Sequence, residues 1–369
     1  MRRLLFIAIP ALVLVSVLVG VSAVATRSGF ELALPGRVLH FPKDHAAHPA
    51  FQTEWWYYTG HLRTSDGEDY GFQLTFFRRR VDEGNWLAGP SQWSPQQLYM
   101  AHFALSDQRH QRFFYAEKIN RPTVGIAGAD EERYHVWNDD WRAELLGPYH
   151  HVQATMEGFA IDLILLPEKE PVIHGINGVS QKGLEKGNAS HYYSLTHLKT
   201  DGLLHVKGAA KEVTGISWMD HEFGSSQLEP TQVGWDWFSV QLDNRTELMV
   251  YLLRQADGSI DPHSSGTLVH PDGQAEHLRQ EMFEIVALGQ WTSPHSGITY
   301  PQGWELRVPM AGLSLRLRQT FADQELDTKS STRVVYWEGS VVVEGAQHNQ
   351  PVRGVGYVEL VGYKGKVDL

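Results

Sequence analysis

The sequence predicts an all-β protein made of two antiparallel barrels or sandwiches in tandem. Three observations support this fold class. Several segments alternate apolar and polar residues with a period of two, Asp-Gly pairs punctuate such segments, and no long amphipathic helical pattern interrupts them. A chain of 369 residues is also long enough for about two ordinary domains.

The alternation is clearest in the segments "YGFQLTFF", "WELRVPM" and "LSLRLRQ". Because successive side chains of a strand point to opposite faces, each segment would bury one face and leave the other in solvent. Asp-Gly pairs at 66–67, 201–202, 257–258 and 272–273 predict hairpin turns. The residues predicted to be buried are Tyr70, Phe72, Leu74 and Phe76 in the first segment, Trp304, Leu306 and Val308 in the second, and Leu313, Leu315 and Leu317 in the third.

A repeated pattern supports the count of two domains. The segments that begin at Glu54 and Asp236 share one order: acid, tryptophan, aromatic residues, a polar turn, an apolar strand and a final arginine. This order predicts one hairpin used twice, each copy opening its own sheet. The polar stretch "GSSQLEPTQV" predicts the connection between them. The predicted domains are 36–228 and 229–369.

The first residues predict export. Two arginines precede a continuous apolar run, and Ala23-Val24-Ala25 offers a small-x-small cleavage site. The run is also about as long as a membrane-spanning helix of ~20 residues. Residues 1–25 are therefore either a signal peptide or a retained anchor that contacts the membrane. Both alternatives place the rest of the chain in the periplasm or on the outer face of the inner membrane.

Composition and missing motifs argue against several function classes. The formal net charge of −11 argues against nucleic acid as a partner, because phosphate binding needs a basic surface. The chain has no cysteine, and neither a G-x-S-x-G nor an H-E-x-x-H motif occurs, which argues against thiol enzymes, α/β-hydrolases and zinc proteases. We predict neither a metal nor a cofactor, since histidine groups such as His45 with His48 complete no recognisable ligand set.

The segment "GISWMDHEFGSSQL" holds the strongest candidate for chemistry. Asp220, His221 and Glu222 lie between Trp218 and Phe223, and burial of such groups costs free energy unless they are paired. In a structural interpretation, the two acids bond backbone or arginine at a domain junction while His221 faces solvent. In a functional one, a carboxylic acid in an apolar pocket has a raised pKa and donates a proton. Both interpretations stay open at this point.

Five segments in order resemble one known family. They are "HPAFQTEWWYYTGHL", "YGFQLTFFRR", "MAHFALSD", "GISWMDHEFGSSQL" and "GWDWFSVQLDNRTELMVYLLR". Together they are similar to the AttH-like family of secreted lipocalin-like proteins, which is related to carotenoid 1,2-hydratase and includes predicted secreted hydrolases. The resemblance covers nearly all of the chain after the leader. It implies two lipocalin-like antiparallel β-barrel or sandwich domains in tandem.

The resemblance also implies candidate site residues. Hydration of an isoprenoid double bond needs a proton donor and aromatic faces that stabilise a cation. By resemblance, the donors are Asp220, Asp236 or Glu54, and His221 is a partner that sets protonation or orients water. The implied aromatic walls are Trp55, Trp218, Trp235 and Trp237.

Strand alternation limits this set. Asp236 should point away from Trp235 and Trp237, because neighbouring residues of a strand face opposite ways. In the same way, Glu54 shares a face with Trp56 and Tyr58. We expect this face, with Trp56 and Tyr58 as ligand contacts, to join Asp220 at a cavity.

The predicted function follows from these residues and the resemblance. The protein would bind an apolar isoprenoid, polyene or lipid near the domain junction and hydrate or hydrolyse it. The alternative is an envelope carrier of a lipid or hydrophobic metabolite that works without catalysis and with an ABC-type export transporter. A purely structural envelope protein is a third possibility.

Overall fold

The computed structural model describes residues 29–80, 97–226 and 228–367. In these residues the regular structure is almost entirely β, which confirms the predicted all-β class. The short 3-10 helices are Lys43–His45, Thr123–Gly125, Gln280–Met282 and Pro309–Ala311. The strands are β1 Thr53–Thr64, β2 Asp69–Arg80, β3 Gln97–Asp107, β4 Arg112–Asn120, β5 Ala127–Ala129, β6 His135–Asn138, β7 Trp141–Leu146, β8 Tyr149–Met156, β9 Phe159–Pro167, β10 Val172–Ile173, β11 Ser180–Gln181, β12 Ala189–Val206, β13 Ala209–Ser226, β14 Gln232–Leu242, β15 Glu247–Gln255, β16 Ser265–Val269, β17 Ala275–Arg279, β18 Glu284–Thr292, β19 Thr299–Val308, β20 Leu313–Gln319, β21 Glu325–Thr328, β22 Val334–Gln347 and β23 Gln350–Val361.

Two curled antiparallel sheets make up the fold. The first has 13 strands, β1 to β13, and closes into a near-barrel, while the second has 10 strands, β14 to β23, and forms a half-barrel. In each sheet the first strand lies between its hairpin partner and the last strand: β1 pairs with β2 and β13, and β14 pairs with β15 and β23. This shared plan is that of tandem lipocalin-like domains, as predicted.

The two sheets divide where the sequence predicted a connection. The first sheet ends at Ser226 and the second begins at Gln232, yet Glu31–Leu369 groups as one compact unit. The independent domains 36–228 and 229–369 stay a prediction.

The predicted alternating segments form strands, but the expectation that one face lies in solvent is wrong for β2, where Gly71, Gln73 and Thr75 are buried too because this face meets the second sheet. All ten apolar residues singled out in β2, β19 and β20 are buried. Each sheet encloses its own apolar core, and a further cluster of aromatic and apolar side chains joins the sheets. The alternation therefore predicted correctly which residues of these strands form the cores.

One predicted turn is wrong. Asp201 and Gly202 lie inside β12, where they pair with Thr214 and Val213, and the hairpin turn falls instead at Lys207-Gly208. Both turn residues have positive φ, 49° and 86°, as a two-residue turn of this kind requires. At Gly202 a Cβ would lie 2.3 Å from the Asp162 carbonyl oxygen, so the glycine permits a close approach of strands.

Residues 1–25, the predicted signal peptide or anchor, lie outside the described residues. Among the residues that are described, no helix is long and apolar enough to cross a membrane.

Histidines bridge the two sheets. The Nε2 atom of His61 lies 2.9 Å from the Gly356 carbonyl oxygen, and its Nε2–H donates to that oxygen. His102 Nδ1 lies 2.9 Å from the Tyr336 hydroxyl, and His174 Nδ1 lies 2.8 Å from the Thr267 hydroxyl. Burial lowers the pKa of His61 to about 4 and the pKa of His102 and His174 to about 3. These side chains are therefore neutral in the folded protein near pH 7.

The neutral state of His61 predicts a stability loss in mild acid. Its pKa is lower in the folded chain than in the unfolded chain, so its contribution is present above about pH 6.5 and is lost as the pH falls. From pH 7 to pH 5 the stability advantage of the wild type over His61→Gln should shrink by about 2 kcal/mol. Urea unfolding at both pH values measures this change. The same substitution at His205, for which the described residues show no bond between the sheets, is the control. An advantage of His61 that grows in acid would contradict the prediction.

Candidate functional site

The alternation of β13 separates the candidate residues. Asp220 pairs with Tyr57 across β1, and His221 pairs with Trp56. Asp220 therefore faces the second sheet, while His221 points into the near-barrel with Glu54, with which it shares a hydrogen bond. The prediction that the face of Glu54 joins Asp220 at a cavity is wrong. The expectation that His221 faces solvent is also wrong, because His221 is fully buried.

Glu54 is the centre of a buried ionic cluster inside the near-barrel. Arg78 Nε lies 2.9 Å from Glu54 Oε2, and His48 Nδ1 and His221 Nε2 lie 2.9 and 2.8 Å from Oε1. Burial opposes ionisation, but Arg78 and the two histidines hold the pKa of Glu54 well below its usual range. Since Glu54 is an ionised acceptor near neutral pH, it does not suit the predicted role of proton donor.

A chain of hydrogen bonds orients His221. Burial lowers the pKa of His221 to about 4, so the ring is neutral and its Nε2–H donates to Glu54. Its Nδ1 then accepts from the Tyr193 hydroxyl, 3.0 Å away. The Tyr193 oxygen in turn accepts from His45 Nδ1 at 2.6 Å. Every member of this series of hydrogen bonds has a partner. The series therefore fixes the segment around His45 inside the near-barrel.

The same cluster has the residue types of a metal site. Ligand atoms of His48, Glu54 and His221 lie within 4.8 Å of one another. However, Arg78 already supplies a positive charge to Glu54, and hydrogen bonds to Asp44 and Glu54 raise the pKa of His48 against the effect of burial. A cluster that already holds a guanidinium, and a histidine whose pKa is raised, does not fit a metal ion.

Trp56 and Tyr58, predicted to contact the ligand, are core residues of the near-barrel. Trp56 is fully buried, donates its Nε1–H to the His45 carbonyl oxygen and stacks on His221 at 4.8 Å between ring centroids. The Tyr58 hydroxyl lies 2.6 Å from that of Tyr134. Their face of β1 was predicted to line a cavity, and the structure places it in the core.

Asp236 is the counterpart of Glu54 in the second sheet. Arg254 Nε lies 2.9 Å from Asp236 Oδ1, and the Tyr363 hydroxyl donates to Oδ2 at 2.9 Å. Burial raises the pKa of Asp236, while Arg254 and Tyr363 oppose this shift. The acid of each repeated hairpin thus forms an ion pair with an arginine near the end of that hairpin. As predicted, Asp236 points away from Trp235 and Trp237, but this leaves it outside the cavity and without the predicted catalytic surroundings.

A cavity of about 630 Å³ lies between the two sheets. This size is typical of sites for small organic ligands. Asp220, Glu222 and Glu359 are the acids of its wall. Aromatic side chains from both sheets make up much of the rest: Trp55, Tyr57, Tyr192, Trp235, Trp237 and Tyr251.

Asp220 is held in the cavity wall by three donors. The Tyr192 hydroxyl donates to Oδ2 at 2.6 Å, Trp218 Nε1 donates to Oδ1 at 2.6 Å, and the Ser194 hydroxyl also donates to Oδ1. Trp237 Nε1 donates to the Tyr192 oxygen at 3.0 Å. Of the predicted aromatic residues, Trp235 and Trp237 line the cavity and Trp218 fixes the acid.

The pKa of Asp220 is raised to about 7. Burial is the largest cause, the three donors oppose it, and the charge of Glu222 adds to it. No ion pair to Asp220 exists among the described residues. Asp220 can therefore hold or release a proton near neutral pH, which is the functional interpretation of this segment.

A second acidic group lies beside it. Glu338 and Glu359 are opposite each other in β22 and β23. Burial raises the pKa of Glu359 to about 7 and that of Glu338 well above its usual range, and each shift is increased by a neighbouring acid. Within the described ranges neither has a cation partner, whereas Glu222 pairs with Lys182 at 3.0 Å. The acids in and near the cavity wall are therefore of two kinds: Glu338 and Glu359, whose pKa values are raised, and Glu222, which is paired with Lys182.

A serine-histidine contact near Asp220 does not form a hydrolase triad. Ser194 Oγ lies 2.6 Å from His174 Nε2, but the other ring nitrogen bonds the Thr267 hydroxyl and no carboxylate. Ser194 is fully buried and donates to Asp220. A buried hydroxyl without an oriented base is not a nucleophile for a ligand in the cavity.

The sequence prediction missed several residues of the cavity. Tyr57, Tyr192, Lys182 and Glu359 were not singled out, although all of them contact the cavity. Alternation along β1 could have indicated Tyr57, because it puts Tyr57 on the same face as Trp55, a predicted wall residue. No local sequence pattern could have indicated Glu359, because it lies more than a hundred residues from Asp220 in the sequence.

The AttH-like family model matches residues 32–363. This chain belongs to the AttH-like family. An AttH structure from Nitrosomonas europaea is 33% identical, with a TM-score of 0.82, and the match covers 90% of this chain and 100% of that one. The match with an AttH protein agrees with the tandem lipocalin-like fold.

Three further proteins are similar to this chain. Kievitone hydratase from Fusarium solani subsp. phaseoli is 24% identical over 56% of this AttH-like chain, and the match spans only 58% of the relative's length. The kievitone hydratase structure from Nectria haematococca shares the fold, with 16% identity, a TM-score of 0.69 and coverage of 90% and 98% of the two chains. The fold also matches CghA, crystallised with Sch210972, at 15% identity and a TM-score of 0.54, over 90% of this chain and 96% of that one. These relationships show that the fold is shared with kievitone hydratase and CghA.

The two kinds of buried glutamate predict losses of stability of very different size on amide substitution. Glu54→Gln leaves Arg78 as an uncompensated buried charge and should cost about 3–5 kcal/mol of unfolding free energy. Glu338→Gln removes an acid that has no cation partner among the described residues and keeps an oxygen for the Tyr57 hydroxyl, so it should cost less than about 1 kcal/mol. Chemical denaturation at neutral pH compares them. A larger loss for Glu338→Gln would contradict this assignment of charges.

Proposed function

We propose that this AttH-like protein binds an apolar, unsaturated molecule in the cavity between the sheets and adds water to one of its double bonds. The observation that supports this function is Asp220. Its carboxyl group is on the wall of an aromatic cavity, has no ion pair among the described residues, and has a pKa of about 7. A carboxylic acid with such a pKa suits proton transfer near neutral pH.

The reaction requires only this acid, water and the cavity. Protonated Asp220 gives its proton to one carbon of the double bond, and the neighbouring carbon becomes a cation. Water attacks that carbon, and the resulting oxonium returns a proton to the Asp220 carboxylate. The product is the substrate plus one water, and Asp220 ends the cycle protonated, as it began.

The aromatic wall supports the cationic intermediate. Trp237 is fixed by its hydrogen bond to Tyr192 and by a T-shaped contact with Tyr57, at 5.3 Å between ring centroids. An aromatic face that is held in place lowers the energy of a nearby cation without having to reorganise. Trp55 and Trp235 add further aromatic surface.

The relatives support the same reaction class. The name kievitone hydratase assigns water addition to that protein, and CghA was crystallised with an organic ligand. Neither relative fixes the substrate of this chain. Asp220 on the cavity wall is the feature of this chain that suits the same chemistry.

Asp220→Asn tests the proposal. In heavy-oxygen water, the wild type should convert kievitone or geraniol, a linear isoprenoid, into a product heavier by one labelled water, detected by mass spectrometry. Asn can still accept from Ser194 and Trp218 but cannot donate a strong-acid proton, so turnover should fall by about 10²–10⁴-fold.

Asp201→Asn is the matched control, because Asp201 is exposed and does not line the cavity. It should leave turnover unchanged. If Asp220→Asn turns over at the wild-type rate, Asp220 is not the proton donor. If the wild type adds labelled water to neither kievitone nor geraniol, the proposed hydration of this substrate class is wrong.

Carriage of the ligand without reaction is a second candidate function. It is favoured by the shielding of Asp220, which is only 4% exposed and surrounded by donors. In that case native mass spectrometry should find a ligand bound equally to the wild type and to Asp220→Asn, with no product. Export to the periplasm and an ABC-type transporter as partner remain proposals that accompany this function.

A further inference from the structure

The exposed edge of the cavity is basic. We call this edge the basic rim; it is formed by Arg79 of β2, by Lys329 and Arg333 from the turn between β21 and β22, and by Lys364 and Lys366 after β23. The last four side chains are exposed, whereas Asp220 is buried in the wall. The rim is notable because the whole chain has a formal net charge of −11.

Part of this positive charge has no carboxylate partner among the described residues. Lys366 Nζ donates to the Pro230 carbonyl oxygen at 2.8 Å and pairs with no described carboxylate. Lys364 makes no ion pair within the described part of the chain. Lys329 is paired with Asp327, so it adds little net charge. Lys364 and Lys366 therefore contribute most clearly to a positive potential at the cavity edge.

The inner wall does not cancel this potential. Glu222 is neutralised by Lys182, and burial keeps Asp220 and Glu359 largely protonated at pH values below about 7. The cavity thus changes from an aromatic interior with little net charge to a cationic rim. A protein with excess negative charge would otherwise repel an anion, so a local cationic rim favours and steers anionic ligands.

We infer that the ligand is an amphiphile with an anionic head group, a carboxylate or a phosphate, which lies at the basic rim while its apolar body lies along the aromatic wall toward Asp220. This inference rests on the proposed function, because it names the substrate class of the same cavity. Contact between the head group and the rim fixes which part of the apolar body reaches Asp220.

Three ligands with the same hydrocarbon chain test this inference: oleic acid, oleyl phosphate and oleyl alcohol. Isothermal titration calorimetry at low salt should show that the two anions bind at least about tenfold more tightly than the alcohol, because the rim adds attraction to a shared apolar contact. The difference should shrink as ionic strength rises. Equal affinity of all three ligands would overturn the inference.

A charge reversal locates the effect. The double variant Lys364→Glu, Lys366→Glu should lose the preference for the anions but keep its affinity for oleyl alcohol within about twofold. The control Lys199→Glu, Lys207→Glu makes the same change of net charge at exposed positions away from the cavity wall and should keep the preference. A preference that persists in the rim variant, or disappears in the control, would overturn the assignment to the rim.

A membrane surface is the other source of anionic head groups. Vesicles of phosphatidylglycerol, compared with vesicles of phosphatidylcholine, distinguish a membrane surface from a cavity ligand. Cosedimentation with the anionic vesicles, without binding of the free anions, would overturn the cavity ligand. The inference and the proposed function fail separately. If the wild type binds all three oleyl ligands equally but still adds labelled water to geraniol, only the inference fails. If the wild type prefers the anions but labels neither geraniol nor kievitone, only the proposed function fails, and Asp220→Asn should keep the preference for anions.

Discussion

The alternation of side chains along β13 is the constraint on which the site depends. Consecutive residues of a strand cannot share a face, so Asp220 and His221, adjacent in sequence, enter different environments. His221 joins Glu54 inside the near-barrel, where donors and a guanidinium stabilise an anion. Asp220 enters the space between the sheets, where aromatic rings surround it and no described cation lies within ion-pair distance. One strand thereby separates a structural acid cluster from a candidate catalytic acid.

Pairing with arginine distinguishes the structural acids from the candidate catalytic one. Glu54 with Arg78 and Asp236 with Arg254 occupy similar places in the two repeated hairpins, and both pairs lie on the inner faces of their sheets. A buried pair of this kind is costly to break, because the remaining charge has no solvent. Asp220 and Glu359 lack such partners in the described chain, so burial raises their pKa. Because no described cation stabilises the ionised form of Asp220, this carboxyl group can hold a proton at the position where the proposed reaction needs one.

The cavity exists because two sheets, each with its own core, meet through a third cluster of aromatic residues. Tyr57, Tyr192 and Trp218 from the first sheet pack against Trp237 and Tyr251 from the second. At this junction large flat rings, some joined by hydrogen bonds, line the space that remains between the two curved sheets. The same junction brings the basic rim and the buried acids into one space. Binding, proton transfer and head-group recognition can thus be combined at a single junction.

The sequence alone determined the all-β class, the buried faces of β2, β19 and β20 and the repeated hairpin, because these depend on local periodicity, and residue type singled out Asp220. Trp235 and Trp237 became candidates through the family resemblance. Alternation also placed Asp236 opposite its neighbouring tryptophans. The sequence did not determine which face of β1 meets Asp220, and the choice of Trp56 and Tyr58 was wrong. Only the tertiary structure decided that face, the arginine partners of Glu54 and Asp236, and the approach of Glu359. Burial and charge compensation arise from contacts between distant strands, and those contacts set the pKa values on which function depends.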